Sequence, residues 1–449
     1  MGFAAVVTLA SAVGEERLSL AVVILDLALV YLTALMGGEL CRRLGLPSLV
    51  GELLGGIFIG VSGLRLIVLP RANLSAIDSV AVNWVARLHG FSDPHILDSV
   101  FRFQSDFFQT LASVGVIVLL FETGLGANLS QLIVNRSQVI AVAGVGVFLS
   151  IVGGSLTLNA FWDVGLIPAL FVGVALSVTS LGITSQLLQR AGDFSTSESQ
   201  AILGAAMLDD ALGIVLLSLV LAFHRESVFS SANVLRLLVL TTAIVVISVL
   251  VGRAISPLLM RLQQVLTTRG RAIVPALMFA YLLVLIASVA QLATILGAFL
   301  AGLSLQGSIR RIIAEHLRPV VDAFVPIFFV YIGAETDLRV LWPWQTDEAW
   351  GNLGLVVFLT AIAIAAKVAS GYALSTREGV NPLAVGLGMV PRGEVVLVFA
   401  ELGRISGILD PVLFATLTCI AILTTFATSF GLHWFRPQHI SVPMRKGTV

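Results

Sequence analysis

The sequence predicts an all-α polytopic membrane protein of about thirteen transmembrane helices, an inverted repeat of two six-helix halves with two discontinuous helices. Three observations predict it. First, the chain is 57% hydrophobic and only 12% charged, with a mean hydropathy of +1.01, whereas a soluble domain carries about 25% charged residues. Second, its apolar residues fall into thirteen stretches near the length that spans a bilayer, and backbone in hydrocarbon must satisfy its own hydrogen bonds, so each is a helix. Third, GELLGGIFIG from Gly51 and GAFLAGLSLQG from Gly297 share small residues at matching places: Gly51 with Gly297, Gly55 with Ala301, Gly56 with Gly302. Small-xxx-small spacing lets membrane helices approach closely. Its recurrence in corresponding helices of opposite topology is the plan of secondary transporters.

In chain order the stretches are 18–37, 47–64 and 106–125, then 138–161, 164–189 and 198–223. A seventh, 233–252, links the halves. The second half holds 271–291, 293–307 and 318–338, then 352–375, 381–403 and 409–434. The long connection from 65 to 105 includes VAVNWVARLHGF, an amphipathic piece suited to the interface. The opening MGFAAVVTLASAVGEE lacks a basic n-region, so a cleaved signal peptide is not expected. Only about 15 residues follow the last stretch, and no appended soluble domain is expected. With the N-terminus outside, 15 of the 26 Lys and Arg gather on one side. The positive-inside rule makes that side, and the C-terminus, cytoplasmic.

The chemistry centres on stretch 198–223, ESQAILGAAMLDDALGIVLLSLVLAF, whose middle holds Asp209 and Asp210. A carboxylate at that depth costs about 2.5–3.5 kcal/mol on insertion scales, so an adjacent pair demands a function. Just upstream, Ser177, Thr179, Ser180, Gly182, Thr184 and Ser185 punctuate stretch 164–189. That density marks an unwound segment whose carbonyls and hydroxyls offer hard oxygen ligands to a small cation. Stretch 381–403 is the matching irregularity, with Gly386, Gly388, Pro391 and Gly393 at its centre. There Arg392 and Glu394 flank the break, placed to neutralise opposed helix dipole ends or to pair as scaffold. Lys367, one of two lysines in the chain, lies deep in stretch 352–375. Beside a carboxylate it stays charged, and its partner is expected in the aspartate pair. Neighbours on a helix point about 100° apart, so one aspartate can face Lys367 and the other an ion. Glu122, a turn from the end of stretch 106–125, is either a solvated helix-end acid, an accessory acid near the site or a partner for Arg392.

Together GLPSLVGELLGGIFIG, LLFETGL, ALSVTSLGIT, AAMLDDALGI, LGAFLAGL, PIFFVYIGAETDL and VPRGEVVLV resemble the monovalent cation/proton antiporter superfamily. The likeness is to its bacterial Na⁺/H⁺ antiporters with a paired-aspartate motif. It implies a homodimer working by an elevator-like alternation, whose core contains two crossed, broken helices. It also implies a scaffold part over helices 18–125 and 271–338, a transport core over 138–223 and 352–434, and a linker helix at 233–252. Asp210 falls on the family's cation and proton carrier, Asp209 on the partner of its lysine (here Lys367), and Thr179 and Ser180 on the broken-helix hydroxyls. Electroneutral relatives commonly carry Asn or Gln where Asp209 stands, so the electrogenic type is implied. Glu122 departs from that, being more typical of the electroneutral branch.

The expectation is therefore a secondary antiporter, not an enzyme, needing no cofactor and exchanging Na⁺ (or Li⁺ or K⁺) for H⁺. A bacterial inner membrane or an internal membrane such as a thylakoid is its expected place. Alternatives are a K⁺/H⁺ antiporter of the same superfamily and a sodium-coupled organic-anion symporter on the same fold. An intramembrane aspartyl protease needs acids facing each other from different helices, which adjacent aspartates do not provide. Zero net charge and no basic run argue against a nucleic-acid partner, and Cys41 and Cys419 follow no metal spacing.

Overall fold

A computed structural model describes residues 2–68, 74–91, 93–127, 136–191, 196–226, 231–343, 349–374 and 380–434. Among these, each predicted apolar stretch coincides with a helix, or with a pair of helices at 164–189 and 381–403. In order they are α1 (Gly2–Arg43), α2 (Ser48–Ile59), α3 (Val80–His89), α4 (Pro94–Gly126), α5 (Arg136–Trp162), α6 (Leu166–Ala175), α7 (Leu181–Ala191) and α8 (Ser197–Glu226). After α9 (Ser231–Val265) come α10 (Ile273–Val289), α11 (Thr294–Ser304), α12 (Ser308–Glu335), α13 (Ala349–Gly371), α14 (Pro382–Gly388), α15 (Glu394–Ile405) and α16 (Pro411–Trp434). Eight of the described helices are long and apolar enough to cross a bilayer alone.

Local chemistry sets several ends. Asp93 accepts from the His95 N–H at 2.9 Å with Pro94 at the first helical position, so α4 starts twelve residues before the apolar stretch predicted at 106. Asn381 caps α14 through its Leu383 and Ala384 N–H groups, again ahead of a proline. Such caps contribute about 1 kcal/mol each. The amphipathic piece forms α3, started by Ser79 and stopped at Gly90, which takes φ +74°. The opening segment continues the first span as one helix rather than standing apart from it.

The helices pack as two groups. α1, α2, α4, α10, α11 and α12 pack on one another; α5, α6, α7, α8, α13, α14, α15 and α16 form the second group. α9 touches both, lying on α8, α10, α11 and α12.

The repeat read from glycines reappears in the backbone. A Cβ at Gly124 would overlap the Phe299 carbonyl oxygen and crowd the Leu303 nitrogen; one at Gly333 would meet the same atoms of Leu53 and Ile57. Leu53 and Ile57 precede Phe299 and Leu303 by the spacing that separates Gly51 from Gly297. Those two glycines in turn press on equivalent carbonyls, of Gly37 and of Leu283. In the second group Gly173 packs on Ile151 and Gly154, as Gly386 packs on Val368 and Gly371. Each half thus reuses the same backbone-to-backbone crossings, where only a missing side chain permits the approach. Gly302→Val puts a side chain into the Phe121 carbonyl; overpacking of this kind costs about 1–3 kcal/mol. The expected result is a lower melting temperature in detergent, and an unchanged one would remove the crossing from the account.

Candidate ion site

The site is assembled where two helices stop and restart. Between α6 and α7 the chain is non-helical from Leu176 to Ser180, and between α14 and α15 it runs open from Val390 to Gly393. The two interruptions lie against each other. The Ser180 N–H donates to the Pro391 carbonyl at 2.9 Å. Thr184 Oγ1 donates to the Gly388 carbonyl at 3.2 Å, and Thr179 Oγ1 lies 3.2 Å from the Met389 carbonyl. Gly393 is needed because a Cβ there would sit 2.6 Å from Ser180 Oγ. Proline and glycine free backbone groups at this depth, and the facing break partners them.

The helix ends created by the breaks carry partial charges, which Arg392 and Glu394 answer separately. Arg392 is fully buried. Its Nη1 donates to the Met389 and Val390 carbonyls at 3.1 and 3.0 Å, at the C-terminal end of α14. Its Nη2 reaches the Ala363 carbonyl of α13 at 3.2 Å. Glu394 opens α15 and accepts from Ser180 Oγ at 2.6 Å and from the Gly182 N–H, in the first turn of α7, at 3.4 Å. A cation thus faces carbonyl ends and an anion faces N–H ends. Arg392 is not the salt-bridge partner of Glu394, nor of Glu122. Glu122 is half-buried on α4, and the charges that reach it are those of Glu394, Asp322 and Arg318.

Above the crossing stands α8. Asp209 is fully buried and forms an ion pair with Lys367 of α13, itself fully buried. Thr179 Oγ1 donates to the same carboxylate oxygen, Oδ2, at 2.8 Å. Gly146 of α5 makes space for the lysine: a Cβ there would lie 3.1 Å from Nζ. Asp210 is 1% exposed, and neither of its carboxylate oxygens takes a hydrogen bond from a side chain among the described residues; the backbone N–H of Thr179 approaches it. The strongest charges around it are Glu394, Asp209 and Lys367. Burying an unpaired carboxylate costs several kcal/mol, so the position favours whatever neutralises it, a proton or a cation.

The predicted residues are therefore brought together, with their partners redistributed. Thr179 serves Asp209 and Ser180 serves Glu394; neither hydroxyl points its proton at Asp210. Reading the sequence missed Thr424 and Thr425 of α16. The first accepts from the Arg392 N–H at 3.2 Å and the second donates to the Arg392 carbonyl at 2.7 Å. An adjacent threonine pair inside an apolar helix was their available signal. Among the described residues no cluster of three or more His, Cys, Asp or Glu has metal-site geometry.

Comparison with known proteins places these features in context. Residues 28–435 match the transmembrane sodium/hydrogen exchanger family. The high-affinity Na⁺/H⁺ antiporter NhaS3 of Synechocystis sp. is 41% identical over 91% of this chain and 88% of its own length. The Na⁺/H⁺-K⁺ antiporter GerN of Bacillus cereus is 30% identical over 90% of this chain and 93% of its own. In three dimensions the sodium proton antiporter MjNhaP1 of Methanocaldococcus jannaschii superposes with a TM-score of 0.65. It covers 92% of this chain and 96% of its own at 15% identity, a likeness of fold.

Proposed function

Since the chain belongs to the sodium/hydrogen exchanger family, we propose that Asp210 is where Na⁺ and H⁺ take turns in a cation/proton antiporter. The observation that carries this is the contrast between two adjacent buried acids. Asp209 is committed to the Lys367 and Thr179 side chains, whereas among the described residues no side chain hydrogen-bonds either Asp210 oxygen. A bound cation and a bound proton neutralise the same charge, so one excludes the other, and the fluxes couple without covalent chemistry. An empty, ionised Asp210 resists crossing the low-dielectric seam, which suppresses leak.

The packing in two groups supports an elevator-like division of labour. The group of α5–α8 and α13–α16 carries the site; the group of α1, α2, α4 and α10–α12 is the scaffold through which two copies pair; α9 links them. The arginine-rich side, with the C-terminus, faces the cytoplasm of a bacterial inner or internal membrane. No cofactor takes part; Na⁺ and H⁺ are the cargo.

Currents on a solid-supported membrane, after jumps of Na⁺, Li⁺ and K⁺ at several pH values, test the function. A transient for Na⁺ that shrinks as pH falls is expected. A K⁺ response of equal size would favour the second reading, a K⁺/H⁺ antiporter, which the name of GerN keeps in view. Coupling to an organic anion instead of protons would overturn both.

Arg392 has a structural part in this scheme. Arg392→Ala leaves the Met389, Val390 and Ala363 carbonyls without their donors, a loss of about 3 kcal/mol or more. Melting temperature and turnover should both fall, with the Michaelis constant for Na⁺ little changed. Unaltered stability and rate would leave the broken-helix account without support.

A further inference from the structure

At the far end of α15 from the aspartates, one arginine ties the two helix groups together. Arg404 grips Glu401 of its own helix with both edges of the guanidinium, Nε to Oε2 at 2.8 Å and Nη2 to Oε1 at 2.7 Å. The same group reaches across to α12. Nη2 donates to the Tyr331 hydroxyl at 3.1 Å, and Nη1 lies 3.6 Å from Glu335 Oε2. Its central carbon sits 5.9 Å from the centre of the Phe414 ring on α16. The Glu335 side chain is 2% exposed and that of Arg404 24%, so these charges are partly withdrawn from water. Beside them, between α4, α11, α12 and α15, lies a cavity of about 70 Å³ lined by Ala112, Val116, Phe328, Glu401 and Leu402. The seam is thus loosely filled next to a polar tie.

We propose that Arg404, Tyr331 and Glu335 form a latch that keeps the seam between the two groups shut on the side away from the arginine-rich loops. The arrangement suits repeated opening. If α15 moves past α12, Glu401 travels with Arg404 as a two-bond pair, so the guanidinium is never stripped of its anion. The Tyr331 and Glu335 contacts are broken, and water entering the opened seam rehydrates Glu335. A purely local role would be met by Glu401 alone; the additional partners come from the other group. The latch therefore weights the equilibrium between conformations, and its removal shifts that equilibrium by the free energy of the lost contacts.

The proposal rests on the transport reading, but its test does not require transport. In full-length protein carrying Cys41→Ser and Cys419→Ser, Ala112→Cys places a thiol in the buried cavity. A membrane-impermeant maleimide is applied to that face of oriented vesicles. Tyr331→Phe, which removes one hydroxyl and no charge, and Glu335→Gln should each raise the labelling rate by roughly threefold or more. In active protein the same variants should move the Michaelis constants for Na⁺ at the two faces in opposite directions. Unchanged labelling in both variants, or constants that shift together, would overturn the latch. Exchange surviving in Asp210→Asn would overturn the transport reading while leaving the labelling result standing.

Discussion

Asp210→Asn abolishes Na⁺-driven proton movement in proteoliposomes, and the protein remains folded. The amide has the carboxyl's shape, so the packing of α8 is undisturbed. It neither holds a proton near neutral pH nor supplies the charge that replaces a sodium ion's hydration shell. Removing an uncompensated buried carboxylate also relieves a desolvation cost, so the variant should melt at or above the temperature of the parent. Rate and stability are thus expected to move in opposite directions. This separates the loss from general damage. Dissipation of a pH gradient on adding Na⁺, at anything near the parental rate, would remove Asp210 from its role.

Lys367→Gln has the second largest effect, and here stability falls as well. Asp209 keeps only the Thr179 hydroxyl, and a buried carboxylate that loses its partner costs about 3–5 kcal/mol. Adding Asp209→Asn makes both positions neutral and should restore most of the melting temperature, since the penalty belongs to the unpaired charge. The functional loss should not be restored. If the ammonium gives the moving group its net charge, then 100 mV of membrane potential contributes about 2.3 kcal/mol per elementary charge. Both the single and the double variant should lose the acceleration that a potential gives the parent. An unchanged response to potential would make Lys367 a structural group only.

How much of this was legible in the sequence depends on the kind of interaction. The spans were legible because hydrocarbon permits few alternatives to a helix, and the two breaks because Pro391, Gly393 and the hydroxyl run at 177–185 have no other use at that depth. That Lys367 pairs within Asp209–Asp210 followed from scarcity, since a deep lysine has few acids to choose from; that the member is Asp209 was implied only by the family resemblance. Partners supplied by backbone were not legible. The sequence places Arg392 either at a helix end or in a pair with Glu394, but the three carbonyls it holds are groups that every residue possesses and no pattern advertises. Where the Thr179 and Ser180 protons turn was hidden for the same reason, because the facing break decides it. Arg404 gave no signal, as a basic residue near a helix end ordinarily reads as a solvated terminus; only the fold brings Tyr331 and Glu335 beside it.

Counting the protons that leave when sodium arrives tests the central claim most directly. Calorimetric titration of the purified protein with NaCl, in two buffers of different ionisation enthalpy, gives that number at each pH. The account predicts a release that rises toward about one proton per bound ion as the pH is lowered, and no heat of binding in Asp210→Asn. Sodium binding that releases no proton at any pH, or that persists in the asparagine variant, would contradict it.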